Sequence, residues 1–241
     1  MTTNYDRIAD SYDRWVNISN EETEATISAL AALAGSGPVL ELGVGTGRIA
    51  LPLVARGLVV HGIERSLSMT KQLRAKPGGA EITVLIGDFA DVPVHEQYSL
   101  IYVVFNTFFE LQTTREQLCC LERGASHLQR DGVFVIEAFG PNLDQLKSEP
   151  TLNVRSVTAD EVRLEITLHD DTNQHLTSQH IVIREDQVRM FNVQLRYSLP
   201  SELDSMAHIA GMSLRERWND WSRSPVTSRS RRHISLYELQ K

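Results

Sequence analysis

The sequence predicts an α/β fold in which a mainly parallel sheet is covered by helices on both faces. Three observations support this prediction. The chain has 241 residues, which suits one large domain or a domain that carries an insertion. Hydrophobic residues make up 41% of the chain and charged residues 23%, as in ordinary globular proteins. From Val39 onward, short apolar segments alternate with helical segments, which is typical of a parallel sheet with crossover helices.

The first 36 residues are predicted to form helices that precede the sheet. Four apolar or aromatic residues recur at spacings of three and four, which predicts a single amphipathic helix. They are Tyr5, Ile8, Tyr12 and Trp15. Ser19, with Glu22 three residues later, predicts a capping box at the start of a second helix, which ends at the glycine and proline residues of 35–38. We interpret residues 1–36 as N-terminal cap helices.

The alternating pattern then predicts five strands and three helices. The strands are predicted at residues 39–42, 59–63, 82–86, 100–104 and 133–139, and the helices at residues 48–56, 68–75 and 115–129. Arg130, Asp131 and Gly132 are predicted to end the last of these helices.

Residues 154–197 show a different pattern, in which long alternating segments are interrupted at 169–173 and 185–187. Such interruptions are typical of turns between antiparallel strands. We therefore predict that residues 141–197 are an inserted antiparallel β lid over the carboxyl edge of the main sheet. A helix at 201–211 and strands at 214–218 and 233–239 complete the chain, so that residues 37–140 and 198–241 form one α/β domain.

The charge balance excludes one class of partner. Lys and Arg number 24 and Asp and Glu number 31, so the formal net charge is −7, whereas a protein that neutralises many phosphates is normally basic. We expect no nucleic-acid partner. The apolar segments are too short to span a membrane, and the first residues lack the apolar stretch of a secretory signal. We therefore expect no membrane association and a cytoplasmic location.

The sharpest feature is a glycine-rich segment between the first predicted strand and the first predicted helix of the sheet. Gly43, Gly45 and Gly47 follow residues 39–42 directly. Glycine is required where the backbone adopts positive φ or where a ligand approaches closely, so a ligand is expected at this turn. Two ligand classes fit: a dinucleotide and S-adenosylmethionine. Residues 45–50 match the dinucleotide fingerprint in its alanine-ended form, and Glu64 lies about 20 residues further on.

Other residues favour S-adenosylmethionine. Glu41 places a carboxylate two residues before the first glycine, where it would repel a pyrophosphate and attract a sulfonium or ammonium group. Asp88 and Phe89 follow the third predicted strand, where a carboxylate can accept a hydrogen bond from an adenine amine and an aromatic ring can lie on the base. The Tyr-x-x-x-Lys pair of short-chain oxidoreductases occurs only as Tyr237 and Lys241, at the end of the chain.

In this order, the motifs resemble those of class I S-adenosylmethionine-dependent methyltransferases, and the resemblance covers residues 39–139. The motifs are Glu41-Leu42-Gly43-Val44-Gly45-Thr46-Gly47, Glu64, Gly87-Asp88-Phe89 and Leu128-Gln129-Arg130-Asp131-Gly132-Val133-Phe134. The N-terminal segment resembles the cap of the branch that acts on sugars, amino acids and natural products, in which aromatic residues such as Tyr5 and Tyr12 close over the cofactor. The resemblance implies a Rossmann-like sheet of seven strands whose last strand is antiparallel.

The resemblance also implies residue roles. The three glycines would line the methionine part of the cofactor, Glu64 would bind both ribose hydroxyls, and Asp88 with Phe89 would hold adenine. The other predicted cofactor-binding residues are Tyr5, Tyr12, Glu41, Arg65, Leu67, Phe105 and Asn106. Asn106 stands where metal-dependent catechol-type relatives carry an acid, so we expect no metal ion.

Substrate contacts are expected from the cap, from strand ends and from the insertion. The candidates are Trp15, Phe108, Phe109, Phe139 and Arg196, and the candidate catalytic residues are Glu137 and His208. Methyl transfer from a sulfonium depends mainly on positioning and exclusion of water. The leading hypothesis is therefore transfer to an O or N atom of a small-molecule acceptor, by a monomer or homodimer. An NAD(P)-dependent oxidoreductase and a cofactor-binding module without turnover stay open as alternatives.

Overall fold

The computed structural model describes residues 3–15, 19–140 and 149–241. In these ranges eleven strands form two sheets. The strands are β1 Val39–Leu42, β2 Val60–Glu64, β3 Thr83–Ile86, β4 Tyr98–Val103, β5 Leu128–Phe139, β6 Thr151–Val157, β7 Glu161–Asp170, β8 His175–Arg184, β9 Val188–Arg196, β10 Met212–Trp218 and β11 Arg232–Leu239. The α-helices are α1 Tyr12–Trp15, α2 Asn20–Ala34, α3 Ala50–Ala55, α4 Leu67–Arg74, α5 Thr114–Ser126 and α6 Pro200–Ile209. Short 3₁₀ helices span Asn4–Arg7, Gly79–Glu81 and Thr107–Glu110.

The larger sheet has seven strands in the order β10-β11-β5-β4-β1-β2-β3. Strands β1 to β5 run parallel to one another, whereas β11 is antiparallel to both β5 and β10. This Rossmann-like sheet confirms the predicted fold class. Because β1 lies between β2 and β4, the strand order reverses there, and open α/β sheets bind ligands beside the carboxyl ends of the strands at such a point.

The central strands are buried on both faces because helices cover the sheet on both sides. Leu40 and Leu42 of β1 belong to one hydrophobic cluster, which includes Leu121 of α5. Val39 belongs to the other cluster, which includes Leu30 of α2. Apolar residues on both faces are what a parallel strand under two helical layers requires.

The N-terminal segment differs from the prediction of one amphipathic helix. The 3₁₀ helix Asn4–Arg7 ends at Ile8, and α1 is a separate, short helix. Asp6 explains the break, because its side chain accepts hydrogen bonds from Ser66 Oγ at 2.6 Å and from the Ser68 N–H at 3.1 Å. These contacts with α4 fix the first turn independently of α1.

The segment between α5 and β5 also differs from the prediction. Helix α5 ends at Ser126, and strand β5 already begins at Leu128. Residues 130–132 therefore belong to the strand and do not stop the helix. The register with β4 shifts between Tyr98 and Leu100, and Gly132 lies where an added Cβ would be 2.9 Å from the Tyr98 carbonyl oxygen. The close approach at this irregularity requires glycine.

The smaller sheet contains β6 to β9 in chain order, and all its pairs are antiparallel. Its strands span Thr151–Arg196, within the region predicted to be antiparallel. Strand β9 is an edge strand that contacts the 3₁₀ helices Asn4–Arg7 and Thr107–Glu110. These contacts bring the smaller sheet next to the carboxyl edge of the larger one.

Two absences hold for the residues that the structure describes. Among residues 3–15, 19–140 and 149–241, every helix is too short or too polar to cross a membrane. The same residues contain no group of three or more His, Cys, Asp and Glu side chains arranged to hold a metal ion.

Candidate cofactor and acceptor site

A cavity of about 600 Å³ lies between the carboxyl ends of β1 to β4, the N-terminal segment and strand β9. Its volume is in the usual range for small-molecule sites, about 300–1,000 Å³. We call one part the glycine end, which is lined by Gly43, Gly45, Glu64, Arg65, Asp88 and Phe89. The other part, the β9 end, is lined by Asn4, Glu110, Gln112, Glu116, Asn192 and Gln194.

The bend that follows β1 leaves its backbone bare toward the cavity. Gly43 and Gly45 have φ values of 75° and 55°, in the left-handed region that favours glycine. A Cβ added to Gly43 would lie 2.6 Å from Thr107 Cγ2. The Gly43 N–H also donates to the Ile63 carbonyl oxygen at 2.9 Å, which ties the bend to β2. A ligand can therefore approach the main chain directly.

Glu64, the last residue of β2, is held in place by the backbone. Its two carboxylate oxygens accept hydrogen bonds from the Gly45 N–H at 2.9 Å and the Ser66 N–H at 2.7 Å. Burial raises the pKa of Glu64, although the amides of Ser66 and Gly45 act in the opposite direction. Because a carboxylate has about four acceptor sites, the fixed group can still accept from two hydroxyls.

Asp88 and Phe89 lie on the adjoining wall of the glycine end. Asp88 Oδ1 accepts from the Ala90 N–H at 3.0 Å, and Asp88 Oδ2 lies 3.3 Å from Arg65 Nη1. The Met69 side chain also lines the cavity. A carboxylate, an aromatic ring and a thioether together suit a planar base with an exocyclic amine.

The N-terminal segment closes one side of the cavity. Tyr5 and Tyr12 both line it, and their rings meet edge to face with centroids 6.0 Å apart. Asp6 fastens the segment to α4 through Ser66 and Ser68. Desolvation acts in the opposite direction, but these hydrogen bonds and that from the Thr3 N–H hold the pKa of Asp6 well below its usual range.

Asp6→Ala is expected to loosen this closure. The variant loses both hydrogen bonds to α4, and a hydrogen bond to a charged group contributes about 1.5–3 kcal/mol. Because the pKa of Asp6 is lowered, the contribution is present at neutral pH and is lost as the pH falls through that lowered pKa. Limited proteolysis at neutral pH should cleave the N-terminal segment several-fold faster in the variant.

A matched control is Glu21→Ala, which removes an exposed carboxylate at the start of α2. Its cleavage rate should equal that of the wild type. Equal rates for wild type and Asp6→Ala would contradict the fastening role of Asp6.

Glu110 is the last residue of the 3₁₀ helix Thr107–Glu110 and lines the β9 end of the cavity. The Tyr5 hydroxyl donates a hydrogen bond to Glu110 Oε1 at 2.5 Å. Burial raises the pKa of Glu110 to about 7, with the hydrogen bond from Tyr5 acting in the opposite direction. A carboxyl group of this pKa can take up or release a proton near neutral pH.

Side-chain amides join β9 to the main domain at this end of the cavity. The Asn4 Nδ2 donates to the Asn192 carbonyl oxygen at 3.2 Å, and the Gln112 Nε2 donates to the Gln194 carbonyl oxygen at 2.8 Å. The outer edge of β9 is thereby held against the N-terminal segment and the turn after β4.

Eight of the predicted site residues line the cavity together. They are Tyr5, Tyr12, Gly43, Gly45, Glu64, Arg65, Asp88 and Phe89. The other predicted residues do not line this cavity.

Glu41 lies beneath the glycine bend and does not line the cavity. Its side chain is buried and accepts a hydrogen bond from the Tyr102 hydroxyl at 2.8 Å. Burial raises the pKa of Glu41 to about 8, so the carboxyl is largely protonated at neutral pH. Glu41 therefore lies in the core beside Tyr102 and does not present a charged group to the cavity.

Two more of the predicted cofactor-binding residues, Gly47 and Leu67, lie outside the cavity for different reasons. An added Cβ at Gly47 would lie 3.0 Å from Leu51 Cγ, so this glycine allows close packing of α3. Leu67 is the first residue of α4, and 66% of its surface is exposed. Neither residue lines the cavity.

The residues after β4 shape a turn in place of a ligand contact. Phe105 and Asn106 both have positive φ, 66° and 64°. The Arg48 guanidinium carbon lies 4.4 Å from the centroid of the Phe105 ring. Asn106 Oδ1 accepts from the Phe139 N–H at 2.7 Å. Glu137 stabilises the same turn, because its carboxylate accepts from the Phe105 N–H at 3.1 Å. Glu137 is also buried and accepts a hydrogen bond from the Trp221 indole N–H at 3.1 Å, and it does not line the cavity.

The predicted substrate contacts and His208, the second catalytic candidate, also lie outside the lining of the cavity. Phe108 and Phe109 are fully buried in the core, and Phe139 packs on Phe109. Arg196 Nη1 is bound to Gln117 Oε1 at 2.9 Å. The remaining two are Trp15, which stacks on Phe191 of the smaller sheet, and His208, which is exposed on α6 with Nδ1 2.8 Å from Gln240 Nε2.

The comparisons with known proteins agree with this geometry. A family model described as a methyltransferase domain matches residues 39–132, which contain the glycine bend, Glu64 and Asp88. The CcbJ methyltransferase from Streptomyces caelestis has 38% sequence identity and a TM-score of 0.94, over 100% of this chain and 99% of that chain. The cypemycin N-terminal methyltransferase of a Streptomyces species is 25% identical over 84% of this chain and 83% of its own length.

A structure with bound cofactor shares the fold. The chain is structurally similar to S-adenosylmethionine-bound CalS10, an amino pentose methyltransferase from Micromonospora echinaspora involved in calicheamicin biosynthesis. The TM-score is 0.73 at 16% sequence identity, and the similarity covers 97% of each chain. The cofactor of the present chain is S-adenosylmethionine, and its residues fit that molecule. The bare bend suits the methionine part, the fixed Glu64 carboxylate suits the ribose, and Phe89 with Asp88 suits adenine.

The matching family and relatives are methyltransferases, so the oxidoreductase alternative is not favoured. They also favour an enzyme over a module without turnover. The ordered motifs, the cavity at the strand-order reversal and the relatives lead to one assignment. The chain belongs to the class I S-adenosylmethionine-dependent methyltransferases.

Proposed function

We propose that this methyltransferase acts on a small molecule and transfers the methyl group to an amine nitrogen. The observation that carries the proposal is the charge of the cavity. Among the described residues its lining includes four carboxyl groups, from Glu64, Asp88, Glu110 and Glu116, and one cationic side chain, Arg65. Arg65 is itself paired with Asp88. Such a cavity attracts a protonated amine and disfavours an anionic acceptor.

Glu110 is suited to receive the proton of the amine. An amine carries a proton at neutral pH and needs a free lone pair to attack a methyl carbon. With its pKa raised to about 7 by burial, Glu110 is ionised often enough to attract the ammonium form and basic enough to accept a proton from it. When bound, S-adenosylmethionine supplies an electrophilic methyl group.

Tyr5, Tyr12 and the smaller sheet position the reactants and exclude water. Tyr5 links the N-terminal segment to Glu110, and β9 reaches the same wall through Gln112. We propose that the inserted segment 141–197, of which residues 141–148 lie outside the described residues, acts as a lid over the domain formed by residues 37–140 and 198–241. Positioning of two bound reactants can lower the activation barrier by about 7–11 kcal/mol. The lid and the N-terminal cap therefore account for much of the rate enhancement.

Relatives provide further support for a nitrogen acceptor. One curated relative is an N-terminal methyltransferase for cypemycin, and a structural neighbour is an amino pentose methyltransferase. The amides and carboxylates at the β9 end also suit an acceptor that carries hydroxyl groups next to its amine.

The proposal is tested with matched acceptors and S-adenosylmethionine labelled on its methyl group. Amino sugars, amino acid esters and a short peptide with a free N-terminus are each compared with a counterpart in which the amine is acetylated or replaced by a hydroxyl. We expect label in the small amines and none in their counterparts. Equal transfer to the hydroxyl counterparts would contradict the nitrogen acceptor, and transfer to the peptide alone would contradict the small-molecule acceptor.

A further inference from the structure

Strand β9 contributes its main chain to the wall of the cavity. It is an edge strand of the smaller sheet, paired with β8 on one side only within the described ranges. Three consecutive residues of β9 line the β9 end of the cavity: Asn192, Val193 and Gln194. An edge strand presents main-chain N–H and C=O groups that no further strand takes up. These groups are therefore candidates for binding a ligand.

The hydrogen-bond register decides which main-chain groups of β9 point away from β8. In an antiparallel pair, alternate residues direct both their N–H and their C=O toward the neighbouring strand, and the residues between them direct both away. Tyr197, directly after β9, donates its N–H to the Gln174 carbonyl oxygen at 3.0 Å, in line with the β8–β9 register. The odd-numbered residues of β9 therefore pair with β8. Asn192 and Gln194 direct their main-chain groups away from it.

Side-chain amides already occupy the outward carbonyl groups of β9. The Asn192 oxygen accepts from Asn4 Nδ2 at 3.2 Å, the Gln194 oxygen from Gln112 Nε2 at 2.8 Å, and the Arg196 oxygen from Gln117 Nε2 at 2.7 Å. The three acceptors are alternate residues of the strand, as the register requires. The amides come from segments outside the smaller sheet, so they hold this edge in a fixed position.

The N–H groups of Asn192 and Gln194 stay available as donors. Along the edge, the Gln194 N–H lies between the carbonyl group bound by Asn4 and the one bound by Gln112. Within residues 3–15, 19–140 and 149–241, neither N–H group donates to a side chain or to a main-chain group outside the sheet. A main-chain N–H that is removed from water without an acceptor costs free energy. A ligand that displaces water here must therefore bring an acceptor.

A hydroxyl group suits this arrangement better than a peptide strand does. A peptide that adds to a sheet edge uses the carbonyl groups as well as the N–H groups, and the carbonyls of this edge are occupied. Both N–H groups of the Gln112 amide are also used, because they donate to the Gln194 and Glu110 carbonyl oxygens at 2.8 Å each. A hydroxyl accepts from an N–H and donates to a carboxylate, and Glu116 supplies a carboxylate in the same lining.

We propose that the main-chain N–H groups of Asn192 and Gln194 bind a hydroxyl oxygen of the methyl acceptor and so select amino alcohols among amines. The inference deepens the proposed function and rests on it in one respect, that the acceptor occupies the β9 end of the cavity. Donors of the main chain on a strand held by three amides keep their positions when the ligand binds. They therefore favour acceptors whose hydroxyl lies at a matching distance from the amine.

The test compares amines that differ by one hydroxyl, namely cyclohexylamine and the positional isomers of aminocyclohexanol. Their binding to the complex with S-adenosylhomocysteine, which has no methyl group to transfer, is measured by NMR on the nitrogen-15-labelled chain. At least one isomer should bind roughly 3- to 10-fold more tightly than cyclohexylamine, the usual effect of one neutral hydrogen bond. That isomer should shift the Gln194 N–H resonance downfield, and cyclohexylamine should not.

A proline substitution removes the donor itself. Gln194→Pro loses the outward N–H but no hydrogen bond to β8, and proline is tolerated on an edge strand where its nitrogen faces outward. Gln194→Pro should bind the preferred isomer no more tightly than cyclohexylamine. Met190→Pro is the matched control, because Met190 is another outward-directed residue of β9, is 57% exposed and does not line the cavity. It should keep the wild-type preference.

Circular dichroism and titration with S-adenosylmethionine verify that each variant is folded, and the wild-type Gln194 resonance decides alone if Gln194→Pro does not fold. Equal binding of cyclohexylamine and every isomer would overturn the proposal. So would an unmoved Gln194 N–H resonance at saturation, or a folded Gln194→Pro that keeps the preference. Because no transfer occurs in this complex, the result does not depend on which atom is methylated. Methylation of the hydroxyl would contradict the nitrogen acceptor and leave the hydroxyl preference intact.

Discussion

Glu64→Ala should weaken the binding of S-adenosylmethionine by about 100-fold or more. The carboxylate is proposed to accept hydrogen bonds from two ribose hydroxyls, and a hydrogen bond to a charged group contributes about 1.5–3 kcal/mol. The loss of two such bonds corresponds to roughly two to four powers of ten in affinity. The variant also deprives the Gly45 and Ser66 N–H groups of their acceptor, which loosens the bend that we propose binds the methionine part of the cofactor. Isothermal titration calorimetry measures the dissociation constant.

Two further variants separate charge from position. Glu64→Asp keeps the charge but withdraws it by one methylene, so its affinity should lie between those of wild type and Glu64→Ala. Glu81→Ala removes an exposed carboxylate from the 3₁₀ helix Gly79–Glu81 and should bind as wild type does. Binding by folded Glu64→Ala within about threefold of wild type would exclude Glu64 from the cofactor site.

The glycine end is predictable from the sequence because local patterns encode it. A buried strand, glycines that permit positive φ at Gly43 and Gly45, and an acid at the end of the next strand are all set within a short stretch of chain. The carboxyl ends of neighbouring parallel strands meet at one edge of the sheet. Glu64 and Asp88 are therefore brought to the same cavity once the strand pattern is recognised.

Glu41 shows where such a pattern stops being informative. Its position next to the glycines is visible in the sequence, but the side on which its carboxyl lies depends on what covers β1. In the structure the carboxyl lies in the core, where it accepts a hydrogen bond from the hydroxyl of Tyr102 on the neighbouring strand. Burial then raises its pKa to about 8, which removes most of the charge on which the prediction relied.

The β9 end could not be predicted because contacts between distant segments create it. The bond between Tyr5 and Glu110 joins residues 105 positions apart, and that between Asn4 and Asn192 joins residues 188 positions apart. No periodicity indicates which edge of an inserted sheet turns toward the cavity. The one local signal for Glu110 is its position, as an acid just beyond the carboxyl end of β4. From the sequence, substrate contacts in this segment are assigned to the aromatic residues Phe108 and Phe109 instead.

Glu110→Gln should lower kcat by about 10²–10⁴-fold, the usual contribution of a general base, while S-adenosylmethionine affinity changes by less than about threefold. The glutamine keeps the size of the side chain and a hydrogen-bonding oxygen for Tyr5 but cannot accept a proton. The wild-type rate should rise with pH through about 7, because Glu110 acts as its carboxylate and its pKa is raised to about 7. This rise should be absent in the variant, where the ionisation of the amine acceptor alone determines the profile. Rapid-quench measurement of the single-turnover rate across pH gives both results.

Glu116→Gln and Tyr5→Phe distinguish a proton acceptor from a merely anionic wall. Glu116 is an exposed carboxylate of the same cavity, so its glutamine variant should keep the rise near pH 7, with at most a modest change in acceptor KM. Tyr5→Phe removes the hydrogen bond that lowers the pKa of Glu110. Its rise should therefore move to higher pH, since the carboxylate forms later. A Glu110→Gln profile with the wild-type rise, or a Tyr5→Phe rise displaced to lower pH, would mean that another group takes the proton.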